Sequence, residues 1–149
     1  MALHSGDKAP DFQANDQNGN LIKLSDFNGK KLVLYFYPKD DTPGCTAQSC
    51  NLRDNLPALQ AAGFQVLGVS VDDEKSHQKF IKKFDLNFPL LADTNHELVN
   101  AYGVWKEKSM YGKTYMGIAR TTFIIDEKGT IIEIIEKVKT DDHSDQILK

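Results

Sequence analysis

The chain has 149 residues, 40% of them hydrophobic and 26% charged, with a net charge of −3 at pH 7. That size suits a single domain over 1–149, and the composition is that of a folded globule rather than a disordered or membrane chain. The acidic balance excludes a broadly basic surface, so no nucleic-acid partner is expected. No apolar run approaches the roughly 20 residues of a bilayer span, so no membrane is expected either. The opening MALHSGDKAPDF shows no apolar leader core, and there is no N-x-S/T sequon, so a cytoplasmic location is expected.

In chain order, residues 11–24 predict two short strands around an Asn18-Gly19 turn. Residues 31–37, KLVLYFY, form an apolar, aromatic and β-branched run that suits a strand buried on both faces, ended by Pro38. Helices are predicted over 43–54 and 56–62. Pro57 divides them, because proline lacks an amide donor and clashes with the preceding turn, and Gly63 stops the second. Residues 64–71, FQVLGVSV, are the next buried strand. A helix over 73–84 places Phe80, Ile81 and Phe84 on one face. Residues 88–91 form a short strand, and 96–102 a short helix with Leu98, Val99 and Tyr102 inward. Strands over 121–125 and 130–136 flank a turn ending at Gly129, and the tail is polar apart from Ile147 and Leu148. Alternation of strand and helix requires parallel strands joined by crossovers, with the last hairpin antiparallel. The expected fold is α/β: a central mixed sheet flanked by helices in three layers, with an N-terminal hairpin extension.

Two cysteines, Cys45 and Cys50, are few. In a compartment that keeps thiols reduced, such a pair is more often redox-active, catalytic or metal-binding than structural. Cys45 falls in the first turn of the 43–54 helix, beyond the carboxyl end of the central strand, where sites form in open α/β sheets. Unpaired N–H groups and the positive end of the helix dipole favour a thiolate there. The plainer alternative is an inert cysteine that only packs. The Cys-x4-Cys spacing differs from the Cys-x-x-Cys of a thiol–disulfide oxidoreductase, and no His or Met is evidently placed with the cysteines for copper handling. A binding domain with a structural disulfide stays open at this level. His4, His77, His96 and His143 show no ligand spacing and read as surface or packing residues. Tyr102 and Trp105 read as core or pocket wall, and Lys82-Lys83 and Asp141-Asp142 as solvated faces.

The string P-x-x-x-T-x-x-C at Pro38, Thr42 and Cys45 resembles the active-site signature of the peroxiredoxins. The longer YPKDDTPGCTAQSCNLRD, together with FQVLGVSVD and AYGVWKEKSMYGKTYMGIARTTFIID, resembles the bacterioferritin comigratory protein branch, also called peroxiredoxin Q. The likeness runs from Asp11 to about Val138. It implies a thioredoxin-like fold, reduction of hydrogen peroxide or organic hydroperoxides, recycling by thioredoxin, and no metal, haem or flavin cofactor. A monomer is expected.

The resemblance also implies roles. Cys45 attacks the distal peroxide oxygen. Thr42, Arg120 and the backbone amides of Gly44 and Cys45 serve as donors to the charge that grows on the leaving oxygen. Pro38 shields the thiolate. Cys50 condenses with the Cys45 sulfenic acid to give a disulfide. Taken singly, Thr42 is also a helix N-cap, Pro38 a strand terminator and Arg120 a surface charge. Five residues on an intact helix separate two Cα atoms by roughly 8.7 Å, from a rise of ~1.5 Å and a turn of ~100° per residue. A disulfide tolerates about 4.4–6.8 Å, so closing this one requires the helix to unwind.

Overall fold

The computed structural model describes residues 3–149. Met1 and Ala2, the first two residues of the stretch read for a leader, lie outside them. The N-terminal hairpin forms as expected: β1 (Gln13–Asn15) pairs antiparallel with β2 (Leu21–Lys23). The Asp16 carboxylate accepts from the N–H groups of Asn18 and Asn20 and so closes the turn. A short 3-10 turn over Leu24–Phe27 follows.

The central strand β3 (Lys31–Phe36) has every residue after Lys31 buried. On one side it pairs in parallel with β4 (Phe64–Ser70), which pairs in parallel with β5 (Leu90–Ala92). On the other side β8 (Thr121–Ile125) runs antiparallel to β3, and β9 (Ile131–Ile135) forms the antiparallel edge. The order β5-β4-β3-β8-β9 is the mixed sheet that alternating strands and helices with a final hairpin require. The fifth strand sits two residues later at its start than the 88–91 expectation. Gly68 lets β3, β4 and β5 close up, since a Cβ there would stand 2.6 Å from Leu90 Cδ2 and 2.9 Å from the Tyr35 ring.

Because side chains alternate along a strand, β3 feeds two cores. Val33, Tyr35 and the following Tyr37 pack with Cys45 and Leu52 of α1 (Pro43–Asp54), Leu56 and Leu59 of α2 (Leu56–Ala61), and Phe80 of α3 (Glu74–Phe84). Leu32, Leu34 and Phe36 pack on the opposite face with Leu98 and Val99 of α4 (Glu97–Ala101), Tyr102, and Phe12 beside the hairpin. Pro57 sits in the first turn of α2, where its missing N–H costs nothing.

Two elements depart from the sequence reading. Residues 105–118 form a free-standing hairpin, β6 (Trp105–Met110) paired with β7 (Lys113–Ile118), separate from the main sheet. Its mixed polar sequence carries no strict alternation, because much of it is exposed. The tail is also not simply polar. It forms α5 (His143–Leu148), which buries His143, Ser144 and Ile147 against the α1 face.

Candidate active site

Strand β3 ends at Phe36, and residues 37–42 carry the chain to the start of α1. Pro43 opens the helix, with Thr42 in extended geometry at the N-cap position. The first intrahelical bond runs from the Thr46 N–H to the Thr42 carbonyl at 2.8 Å. The N–H groups of Gly44 and Cys45 therefore lie ahead of the ladder, at the positive end of the dipole. Cys45 is fully buried, Cys50 on the same helix is half-buried, and both are free thiols.

Arg120 enters from the residue just before β8. Its Nη2 donates to Cys45 Sγ at 3.4 Å, and its Nη1 donates to Gln48 Oε1 at 2.6 Å. A Cβ on Gly44 would stand 3.1 Å from Arg120 Nη2, so glycine keeps the guanidinium's approach open. Gln48 is fully buried, and its Nε2 has no partner among the described residues. That unpaired donor carries a desolvation cost, which the charge-assisted bond to Arg120 offsets. Lys108 of β6 belongs to the same electrostatic neighbourhood. Burial and the Arg120 charge lower its pKa, and the Cys45 sulfur acts in the opposite sense.

Thr42 occupies the N-cap position, but its hydroxyl does not cap the helix. It donates to the Lys39 carbonyl at 2.9 Å. With that hydrogen committed, its oxygen is left to accept from a bound group, which differs from the donor role implied by resemblance. Pro38 is half-buried and Arg120 is partly buried, not a surface charge.

Two histidines are part of the core. His77 and His143 take the packing alternative: both are fully buried, and both ring nitrogens are hydrogen-bonded. His143 Nε2 accepts from the Thr122 hydroxyl at 2.8 Å, and its Nδ1–H donates to Gln146 Oε1 at 2.8 Å. Burial, with the Arg120 charge, outweighs the Gln146 bond and holds its pKa below the ordinary value. Tyr102 is core, and Trp105 is half-buried against His96, with ring centroids 4.5 Å apart. Among the described residues, no group of three or more His, Cys, Asp or Glu side chains is arranged to hold a metal ion.

Sequence reasoning missed Gln48 and Lys108. Gln48 was findable, since a residue three positions after Cys45 shares its helix face. Lys108 was not, because it feels the Arg120 and Cys45 charges from a hairpin the sequence did not reveal.

Residues 5–134 match the model of the AhpC/TSA family. The chain belongs to that family. It is 47% identical over 146 residues to peroxiredoxin Bcp of Escherichia coli (strain K12), covering 98% of this chain and 94% of that one. It is 46% identical over 149 residues to peroxiredoxin Bcp of Bacillus subtilis (strain 168), covering 100% and 95%. Among solved structures it matches the bacterioferritin comigratory protein of Xanthomonas campestris, in a study of alkyl peroxide reduction activity, with a TM-score of 0.86 and 40% identity over 92% of this chain and 87% of that one. The fold is thus the thioredoxin-like one of peroxiredoxins, and the chain is a thiol-dependent peroxidase of the Bcp/peroxiredoxin Q branch. Among the described residues, no helix is long and apolar enough to cross a membrane.

Proposed function

We propose that this chain reduces hydrogen peroxide and organic hydroperoxides through Cys45 and Cys50, and that thioredoxin returns it to the dithiol. The observation that carries the reading is the Arg120 guanidinium 3.4 Å from a buried Cys45 sulfur at the first turn of a helix. The Cys45 thiolate attacks the distal oxygen of ROOH, and the O–O bond breaks. The leaving RO⁻ takes a proton to become water or an alcohol, and Cys45 becomes a sulfenic acid. Arg120 and the N–H groups of Gly44 and Cys45 are the fixed donors available as negative charge moves from sulfur to the leaving oxygen. Gln48 orients Arg120, Thr42 accepts from the peroxide hydrogen, and Pro38 screens the sulfur.

Cys50 then displaces hydroxide from the sulfenic acid, giving water and an intramolecular disulfide. Two electrons from thioredoxin reopen it. Closing the disulfide requires α1 to unwind, since both cysteines sit on one continuous helix. The working unit is a single peroxiredoxin domain over 1–149, a cytoplasmic monomer serving antioxidant defence and redox homeostasis. The test is a coupled assay, with and without thioredoxin, comparing hydrogen peroxide with an alkyl hydroperoxide. Peroxide-dependent turnover that needs thioredoxin supports the reading. Fast thiol oxidation with no recycling by thioredoxin would point to another dithiol.

A further inference from the structure

Residues 38–42 between β3 and α1 carry Pro38 and Thr42, and their midpoint is gripped from below. The Asp40 carboxylate accepts from the Tyr37 hydroxyl at 2.5 Å, the Ser76 hydroxyl at 2.8 Å and His77 Nδ1 at 2.7 Å. The Asp40 N–H donates to Asp72 at 2.8 Å, and Asp72 also accepts from the Ser70 hydroxyl. The next residue, Asp41, turns through a left-handed φ of 60° and is paired with Lys83. That conformation carries some strain for a non-glycine residue, less for Asp than for most. Thr42 follows directly, so the strained turn and its anchors set where the Thr42 hydroxyl lies.

His77 is the buried member of this set. Its Nδ1 faces the Asp40 carboxylate, and its Nε2 faces the Leu91 carbonyl at 2.8 Å. With Asp40 ionised both partners only accept, so the arrangement favours a doubly protonated ring. Asp72 adds a further negative charge after β4, and the Tyr37 hydroxyl at the end of β3 holds Asp40 from the far side. Asp41, Asp73, Lys79 and Lys83 line the open cavity beyond Asp40. Burial disfavours the charged ring, but the hydrogen bond and charge of Asp40 and the Leu91 carbonyl outweigh it. The pKa of His77 is therefore raised above the ordinary value.

We propose that the buried Asp40–His77 ion pair positions the Pro38–Thr42 segment beside Cys45, so that the oxidation step depends on a charged histidine that never touches the peroxide. His77 is a positioning residue. When pH rises past its raised pKa, the ring loses a hydrogen, one acceptor is left facing a lone pair, and the segment loosens. Misplacement of this kind costs about tenfold to a hundredfold in rate.

The experiment measures the second-order rate of Cys45 oxidation by hydrogen peroxide in wild type and His77→Gln over about pH 6 to 10, a range that brackets imidazole titration. The expected result is a slower variant, by about tenfold or more, that lacks an alkaline fall present in the wild type. A variant that oxidises at the wild-type rate, or slows yet keeps the same alkaline fall, would overturn the proposal. Should His77→Gln fail to fold, nitrogen NMR of the wild-type imidazole decides: two protonated ring nitrogens at neutral pH support the proposal, and a neutral ring overturns it. The inference rests on Cys45 as the reacting thiol. A wild type whose Cys45 ignores peroxide overturns that reading as well, whereas a reactive wild type with an indifferent variant overturns only the positioning role.

Discussion

At the start of α1, Cys45 is fully buried, faces Arg120 and packs with Tyr37 and Leu52. About a turn and a half later, Cys50 is half-buried beside Asn51 and Arg53, whose polar side chains reach out to other elements. Asn51 Nδ2 donates to the Asp141 carbonyl, and its Oδ1 accepts from the Ser144 N–H at the start of α5. Arg53 donates to the Phe84 carbonyl at the end of α3. Around Cys45 the chain is held by core packing and the partly buried Arg120 charge; around Cys50 polar links near the surface join in, while Leu52 on the other helix face stays in the core. A thiolate attacking peroxide needs fixed surroundings, whereas a resolving thiol has to travel. On the proposed roles, the setting of Cys45 suits the first demand and that of Cys50 the second.

The strongest attack on this contrast is Cys45→Ser. Serine supplies no comparable nucleophile, so peroxide turnover should vanish, and residual activity of about a tenth would remove Cys45 from the role. Cys50→Ser should keep the first oxidation and lose thioredoxin-dependent turnover. Mass spectrometry after one equivalent of peroxide should find sulfenic acid or a mixed disulfide at Cys45, and normal cycling would assign resolution elsewhere. Arg120→Ala should slow oxidation by about 10²–10³, with Arg120→Lys recovering only part because the forked geometry is lost. Stopped-flow rates indifferent to either change would detach Arg120 from the chemistry.

Asn51→Ala sharpens the other end. Losing the hydrogen bond to the Asp141 carbonyl ahead of α5 and the one from the Ser144 N–H within it should destabilise the reduced protein by about 1–2 kcal/mol in urea titration. It should also raise amide exchange across 43–54 towards that of the oxidised form. Smallest of all is a pH effect at His143. Its pKa is lowered in the folded state by burial, so the unfolded chain binds the extra proton first as pH falls through about 6.5. Stability should therefore drop on acidification, and His143→Gln should flatten that part of the melting-temperature profile. His77 acts in the opposite sense, since its raised pKa contributes stability at low pH that is lost as pH rises.

Legibility in the sequence followed how local each signal was. Buried strands such as KLVLYF, the Asn18-Gly19 turn and the break before Pro57 announce themselves within a few residues, and all three appear in the fold. The spacing of Pro38, Thr42 and Cys45 was equally local. Arg120 was legible only through resemblance, since 75 residues separate it from Cys45. The Asp40–His77 pair spans 37 residues and depends on α3 crossing beneath the segment, which no periodicity encodes. The β6–β7 hairpin escaped because its exposed faces, including Met110, Tyr111, Tyr115 and Met116, leave no buried alternation to read.

Asn51 joins α1 to the chain terminus, and that link bears on the electron affinity of the cysteine pair. Any contact present with the helix closed and absent with it open favours the dithiol over the disulfide. It makes the protein the stronger oxidant towards its reductant. For a two-electron couple, about 1.4 kcal/mol of such contact energy corresponds to about 30 mV in midpoint potential. Loosening the tail through Asn51 should therefore shift the couple to more negative values without any change at either sulfur. On the proposed pairing of Cys45 with Cys50, an asparagine that accepts from the Ser144 N–H of the last helix tunes redox poise.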